Sequence, residues 1–99
     1  MEPFYLYVTY QTKPGCREAF VREMTESGTL EKIQKEDGCL RYDYYYSAQD
    51  PNALLLIEEW TSREHQKVHL AQPHMAFVRE CKDRFIESVK LGSFCFGKL

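Results

Sequence analysis

The segment ALLLIEEWT, residues 53–61, constrains the fold of this 99-residue chain more than any other. Its first five residues are all apolar, which is typical of a strand that is covered on both faces. Side chains alternate along a strand, so Glu58 shares a face with Trp60. If Trp60 faces the interior, a carboxylate lies there among apolar neighbours, and it needs a partner or stays protonated. The two predicted faces are Leu54, Leu56, Glu58 and Trp60, and Leu55, Ile57, Glu59 and Thr61.

The remaining elements are predicted from periodicity and from start and stop signals. Pro14-Gly15 and Gly38 are typical of a turn and of a left-handed helix cap, and Thr61 with Glu64 forms a capping box. The predicted elements are a strand over 4–12, a helical segment over 17–35 broken by ESGT at 26–29, strands over 39–47 and 53–61, a helix from Thr61 to about Leu70, a helix from Pro73 to about Ser88 and a strand over 89–97. This β-α-β-β-α-β order predicts a single ferredoxin-like α+β domain over residues 1–99, with helices on one face of an antiparallel sheet.

The sheet of such a domain has one face that its own helices do not cover. Because the strand over 53–61 is apolar on both faces, something else must cover the second one. A second copy of the chain is the simplest cover, and we expect a homodimer packed sheet against sheet. An apolar surface for a different protein is the alternative.

Three histidines, His65, His69 and His74, fall within ten residues. His74 begins an apolar helical stripe with Phe77 and is therefore expected on the buried side, either as a core histidine or as part of a site. His65 and His69 are four residues apart, which is compatible with a shared metal, but no third ligand is near and no metal site is predicted. His65 is expected to be solvated.

Strand 39–47 carries tyrosines on both faces. Tyr42, Tyr44 and Tyr46 share one face, and Arg41, Asp43 and Tyr45 share the other. Alternation alone leaves open which of these faces looks inward, and such tyrosines are either core residues or an aromatic pocket wall.

Charge and composition limit the classes of partner and the cellular location that are expected. The net charge is −2 and the basic residues are spread along the chain, which disfavours nucleic acid and anionic membranes as partners. No long apolar run or signal peptide is seen, so a cytoplasmic protein is expected. The four cysteines are far apart and are expected to be small buried groups rather than disulfides or zinc ligands.

Three segments carry a resemblance to a known family. EDGCLRYDYYY, LLLIEEW and HLAQPHMAFV resemble the antibiotic biosynthesis monooxygenase (ABM) superfamily of small dimeric α+β-barrel proteins, and within it the quinol monooxygenase and autoinducer-2-degrading branch. The similarity extends over about residues 3–90. It implies oxidation of a small electron-rich aromatic, such as a quinol or an anthrone, by molecular oxygen without metal, haem or flavin.

The resemblance also implies roles for individual residues. His74 would be the proton acceptor or oxyanion donor, and Glu58 would orient it. The substrate would lie between the helices and the sheet, against Trp60, with His69, Tyr42 and Phe77 as further contacts. The haem-degrading branch uses an asparagine on the first strand, and the only asparagine here is Asn52 in the hairpin turn, so haem degradation is disfavoured.

Two other functions fit the same scaffold, since a fold does not fix a function. One is an isomerase acting on a small keto-sugar phosphate, which would need basic residues at the pocket mouth, and Arg41, Arg63 and Lys67 are the candidates. The other is a non-enzymatic dimeric ligand-binding or stress protein, in which Glu58 and His74 only form hydrogen bonds inside a filled core.

Overall fold

The computed structural model describes residues 2–95 and contains four strands and four helices. The strands form one antiparallel sheet in the order β2-β3-β1-β4, with the helices packed on one face, as the sequence predicts for a ferredoxin-like α+β fold. No helix within the described residues is long and apolar enough to cross a membrane. The elements are β1 (Phe4–Thr12), α1 (Arg17–Glu26), α2 (Thr29–Gln34), β2 (Cys39–Tyr46), β3 (Ala53–Trp60), α3 (Arg63–Leu70), α4 (Met75–Phe85) and β4 (Ile86–Phe94).

The central strand β3 orients its side chains as alternation predicts. Its even-numbered residues face the helices and are buried, and Trp60 and Glu58 are among them. The odd-numbered residues Leu55 and Ile57 lie on the opposite face and are only partly buried. The exposed Tyr7 and Tyr45 lie beside them on that face, because Tyr7 pairs with Ile57 and Tyr45 pairs with Leu55. The described chain therefore leaves one apolar sheet face without a cover.

Strand β2 turns its tyrosines inward by the same rule. Tyr42 is buried and Tyr44 packs against the core, whereas Arg41 and Tyr45 are exposed. The face that carries Tyr42 and Tyr44 is therefore the inward face of β2, which alternation alone left open. Arg41 forms an ion pair with Glu59 of β3 at 2.6 Å on the outer face.

Three predicted boundaries are wrong, and one of them is the start of α4, which begins at Met75 rather than at Pro73. The N-cap of α3 is Ser62, whose hydroxyl accepts from the backbone N–H of His65, and the Thr61 hydroxyl instead donates to Gly38 O at 3.2 Å. Helix α4 ends at Phe85 rather than near Ser88, and Ile86 already has the extended backbone of β4. Residues 96 and 97 of the predicted last strand lie outside the described residues.

The cysteines form no disulfide within the described residues, but only Cys81 is fully buried. The others are half-buried or exposed, so the expectation of buried apolar groups is confirmed for Cys81 alone. Burial raises the pKa of the Cys39 thiol to about 11, which keeps it protonated near neutral pH.

The turn that precedes β2 depends on Gly38, which has a φ of 81°. A Cβ there would contact the ring of His65 and lie 2.6 Å from Thr61 Oγ1. We expect Gly38→Ala to lower the free energy of unfolding by about 2–3 kcal/mol, because it combines left-handed strain with a clash. Urea unfolding followed by the fluorescence of Trp60, the only tryptophan, measures the change.

Gly28→Ala is the matched control, because Gly28 has the same φ of 81° but open space around its Cβ position. This variant should show the backbone cost alone, about 1 kcal/mol. Equal losses in the two variants would show that the His65 contact contributes nothing.

Candidate functional site

Three elements meet at the carboxylate of Glu36. This residue lies just after α2, His69 lies near the end of α3, and His74 is the N-cap of α4. Glu36 Oε2 accepts hydrogen bonds from His69 Nδ1 at 2.9 Å and from His74 Nε2 at 2.8 Å. The Glu36, His69 and His74 side chains are 10%, 2% and 17% exposed. We call these three residues the Glu36 cluster, and within it His74 is the imidazole most open to solvent.

The hydrogen bonds assign a tautomer to each imidazole. A carboxylate only accepts, so the bonded nitrogens, Nδ1 of His69 and Nε2 of His74, carry hydrogens. Burial lowers the pKa of His69, although its hydrogen bond to Glu36 acts in the opposite direction. His69 is therefore a neutral donor near pH 7.

Trp60 supports the cluster from the sheet side. Its ring stacks on His69 with centroids 4.7 Å apart and an interplanar angle of 36°. Its Nε1–H donates to Glu58 Oε1 at 2.9 Å, so the indole contacts Glu58 directly and Glu36 only through His69. Trp60 is 0% exposed, which means that no water-sized space touches it. The ring of Tyr42 lies 5.6 Å from His69 on another side.

Glu58 has the environment that alternation predicts but a different partner. It is 4% exposed, and burial raises its pKa to about 7, although the hydrogen bond from Trp60 opposes the rise. The predicted pairing of Glu58 with His74 is wrong, because His74 bonds to Glu36 instead. Sequence reasoning missed Glu36 as a site residue, although it begins the EDGC motif.

A cavity opens on the outer side of Glu36. Its volume is about 420 Å³, and it lies between the turn after α2 and one side of α3. None of its lining residues is a lysine or an arginine, and three of them are acidic. The lining residues are Glu36, Asp37, Glu64, His65, Val68 and Gln72.

The other predicted site residues are dispersed. Phe77 packs against the core as a half-buried side chain. His65, expected to be solvated, is only partly exposed, with Nδ1 2.7 Å from Ser62 Oγ and Nε2 3.5 Å from Asp37. His69 bonds to Glu36 instead, and residues 2–95 contain no group of three or more His, Cys, Asp or Glu side chains that could hold a metal.

The fold and the cluster define the class of the protein: a small ferredoxin-like α+β domain with a buried carboxylate that holds two imidazoles. The chain belongs to the antibiotic biosynthesis monooxygenase family, whose model matches residues 3–80. This confirms the resemblance at the level of the family.

Solved structures show the same fold. A protein from Pseudomonas aeruginosa is 23% identical with a TM-score of 0.85, over 99% of this chain and 97% of that one. A protein from Mycobacterium tuberculosis is 24% identical with a TM-score of 0.80, over 99% and 98% of the two chains. A protein named antibiotic biosynthesis monooxygenase is 22% identical with a TM-score of 0.80, over 96% and 99%. No curated protein matches the sequence.

Proposed function

We propose that this protein is a cofactor-independent monooxygenase that oxidises a small electron-rich aromatic, such as a quinol or an anthrone, with molecular oxygen. Membership of the antibiotic biosynthesis monooxygenase family supports the reaction class. The observation that carries the proposal is the Glu36 cluster, because a carboxylate that fixes an imidazole is the usual arrangement of a general base. The cluster adjoins a cavity large enough for a single aromatic ring system.

In this proposal His74 is the proton acceptor. Its Nε2–H is held by Glu36, and its Nδ1 forms no hydrogen bond within residues 2–95, so the Nδ1 lone pair can accept a proton. Of the Glu36 cluster only Glu36 lines the cavity, so a substrate bound there must reach past Glu36 to His74. Glu36 orients the ring and stabilises the imidazolium that forms. The substrate anion then passes an electron to oxygen. For an anthrone, the ring CH₂ becomes C=O, one oxygen atom enters the product and the other leaves as water.

His69, Trp60 and Tyr42 act as positioning residues in this scheme. His69 holds Glu36 by a hydrogen bond, and Trp60 and Tyr42 pack against the ring of His69 and fix its position. Glu58 holds the indole of Trp60 and does not contact His74. We further propose a homodimer formed through the outer sheet face, to be tested by light scattering for twice the 11.7 kDa chain mass.

Two alternatives are weighed by the same geometry. An isomerase acting on a sugar phosphate is disfavoured, since Arg41, Arg63 and Lys67 do not line the cavity beside Glu36. A non-enzymatic binding protein is favoured by one observation: Trp60 and His69 are packed without exposed surface, so the core between helices and sheet is filled around them.

Oxygen uptake tests the proposal. We expect the chelator-treated protein to consume oxygen with at least one member of a panel of quinols and anthrones. His74→Ala should reduce this rate by about 10²- to 10⁴-fold through loss of the base. The fluorescence of Trp60 in each sample checks that the cluster is still folded. Uptake that survives in His74→Ala would contradict the assignment of the base, and no uptake with any compound would favour the binding protein.

A further inference from the structure

A second cavity lies where the end of α4 meets the start of β4. Its volume is about 510 Å³, and it shares no lining residue with the cavity beside Glu36. Two lysines and two carboxylates line it, so its charges balance, and Ile86 and Val89 add apolar contacts. A cavity of this size and charge suits a small uncharged molecule. The charged lining residues are Lys13, Lys82, Asp83 and Glu87.

Lys82 differs from the other lysines of residues 2–95, because it is half-buried and they are exposed. Its Nζ lies 5.5 Å from the centre of the Tyr10 ring and forms no hydrogen bond or ion pair within the described residues. Lys13 lines the same cavity, but its Nζ is exposed and donates to Asp83 O at 3.1 Å. Lys82 is therefore an amine that has lost part of its hydration without gaining an acceptor.

The surroundings of this amine favour its neutral form. Burial lowers the pKa of Lys82, and the charge of Arg79 on α4 acts in the same direction. The ionised carboxylate of Glu58 on β3 raises the pKa of Lys82, but burial also raises the pKa of Glu58 to about 7, so this attraction weakens below neutral pH. Tyr10 on β1 stays neutral, because burial raises the pKa of its hydroxyl. A lysine whose ammonium form is disfavoured is a nucleophile for carbonyl compounds.

We propose that Lys82 forms an imine with a small uncharged aldehyde that binds in the cavity between α4 and β4. The nitrogen lone pair of the neutral amine attacks the carbonyl carbon, and a proton moves from nitrogen to oxygen to give a carbinolamine. Loss of water from the carbinolamine then forms the C=N bond, and the step needs no oxidant or reductant. This reactivity is separate from the proposed oxygenation, since no residue of the Glu36 cluster lines this cavity.

Propionaldehyde with sodium cyanoborohydride tests the proposal on the wild-type protein. The reagent reduces an imine to a stable secondary amine, and peptide mass spectrometry then gives the labelling rate of each lysine. At about pH 7 we expect Lys82 to be labelled about tenfold or more faster than Lys13, although Lys13 lines the same cavity and is more exposed. The Lys82 rate should also saturate as the aldehyde concentration rises, because the aldehyde binds before it reacts.

Glu58→Gln tests the environment of the amine without changing the cavity wall, because Glu58 does not line the cavity. The variant removes the negative charge that favours the ammonium form of Lys82. We expect Lys82 labelling to become about threefold faster at about pH 8 and to change little at about pH 6, where Glu58 is already mostly protonated. The control Glu59→Gln, on the outer face and paired with Arg41, should leave the rate unchanged.

Labelling of Lys82 no faster than that of Lys13 would overturn the proposal. A Lys82 rate that stays proportional to the aldehyde concentration would overturn binding in the cavity. An unchanged rate in Glu58→Gln at about pH 8 would overturn the influence of Glu58 on the amine. Lys82→Arg keeps a cation beside the Tyr10 ring and should lose only the label at position 82, which verifies the peptide assignment.

Discussion

Glu36→Gln is expected to lower turnover by about 10²- to 10⁴-fold while leaving the fold intact, because a neutral amide does not stabilise the imidazolium that forms on His74 during proton transfer. Oε2 of Glu36 receives both His69 Nδ1–H and His74 Nε2–H. The amide oxygen of Gln has two lone pairs and can take the place of Oε2, with the amide nitrogen at the Oε1 position, so both rings keep their hydrogen bonds and only the negative charge is lost.

The test of Glu36→Gln has one readout that does not require a substrate. Nitrogen NMR of the imidazoles reports which ring nitrogen carries the hydrogen, and we expect the wild type to show Nδ1–H at His69 and Nε2–H at His74. Glu31→Gln is the matched control, because Glu31 on α2 bonds only to the exposed Lys35. We expect Glu36→Gln to keep these tautomers, and a wild-type kcat in this variant would show that the charge of Glu36 contributes nothing to turnover.

Much of the fold follows from patterns that act over short distances. ESGT separates α1 from α2 as predicted, because Gly28 has a left-handed backbone that a helix cannot continue through. The α4–β4 boundary depends on a distant partner instead. Ile86 adopts a strand conformation because it pairs with Thr12 of β1, and no local signal in the sequence marks that pairing.

In the candidate site, too, local sequence patterns predict the direction of some side chains but not their contacts with distant residues. Alternation correctly places Glu58 beside Trp60 on the buried face of β3, because a strand gives every residue a direction. Glu36 lies in the turn between α2 and β2, where neither helical nor strand periodicity assigns a direction. Its two partners are 33 and 38 residues away. Sequence patterns therefore pair His74 with Glu58, the acid to which they assign a direction, and the motif EDGC is the only signal for Glu36.

Glu58 is a buried acid that the proposed chemistry does not use, and its surroundings make the ionised form of its carboxyl group unfavourable. The charged and titratable groups that act on it are Lys82, which attracts it, and Glu36, which repels it. The tyrosines Tyr10, Tyr42 and Tyr44 also face it, and burial raises the pKa of each of their hydroxyls. Burial lowers the pKa of Lys82, so the charged form of this side chain is also disfavoured by loss of hydration. The net result is that folding raises the pKa of Glu58 from 4.5 to about 7.

A raised pKa means that the folded protein binds more protons than the unfolded chain, so stability is lost as the pH rises from 4.5 to about 7. Glu58→Gln keeps an acceptor for Trp60 Nε1–H and removes the ionisation. We expect it to raise the free energy of unfolding by about 2 kcal/mol at pH 8 and by almost nothing at pH 4.5, with the attraction of Lys82 limiting the gain. Urea unfolding at constant protein concentration, followed by Trp60 fluorescence, measures both values.

Glu59→Gln is the control: Glu59 lies on the outer face and is paired with Arg41, so this variant should show no such gain in stability. A Glu58→Gln protein no more stable than the wild type at pH 8 would mean that Lys82 fully compensates the buried charge, which would then be an ion pair rather than a neutral acid.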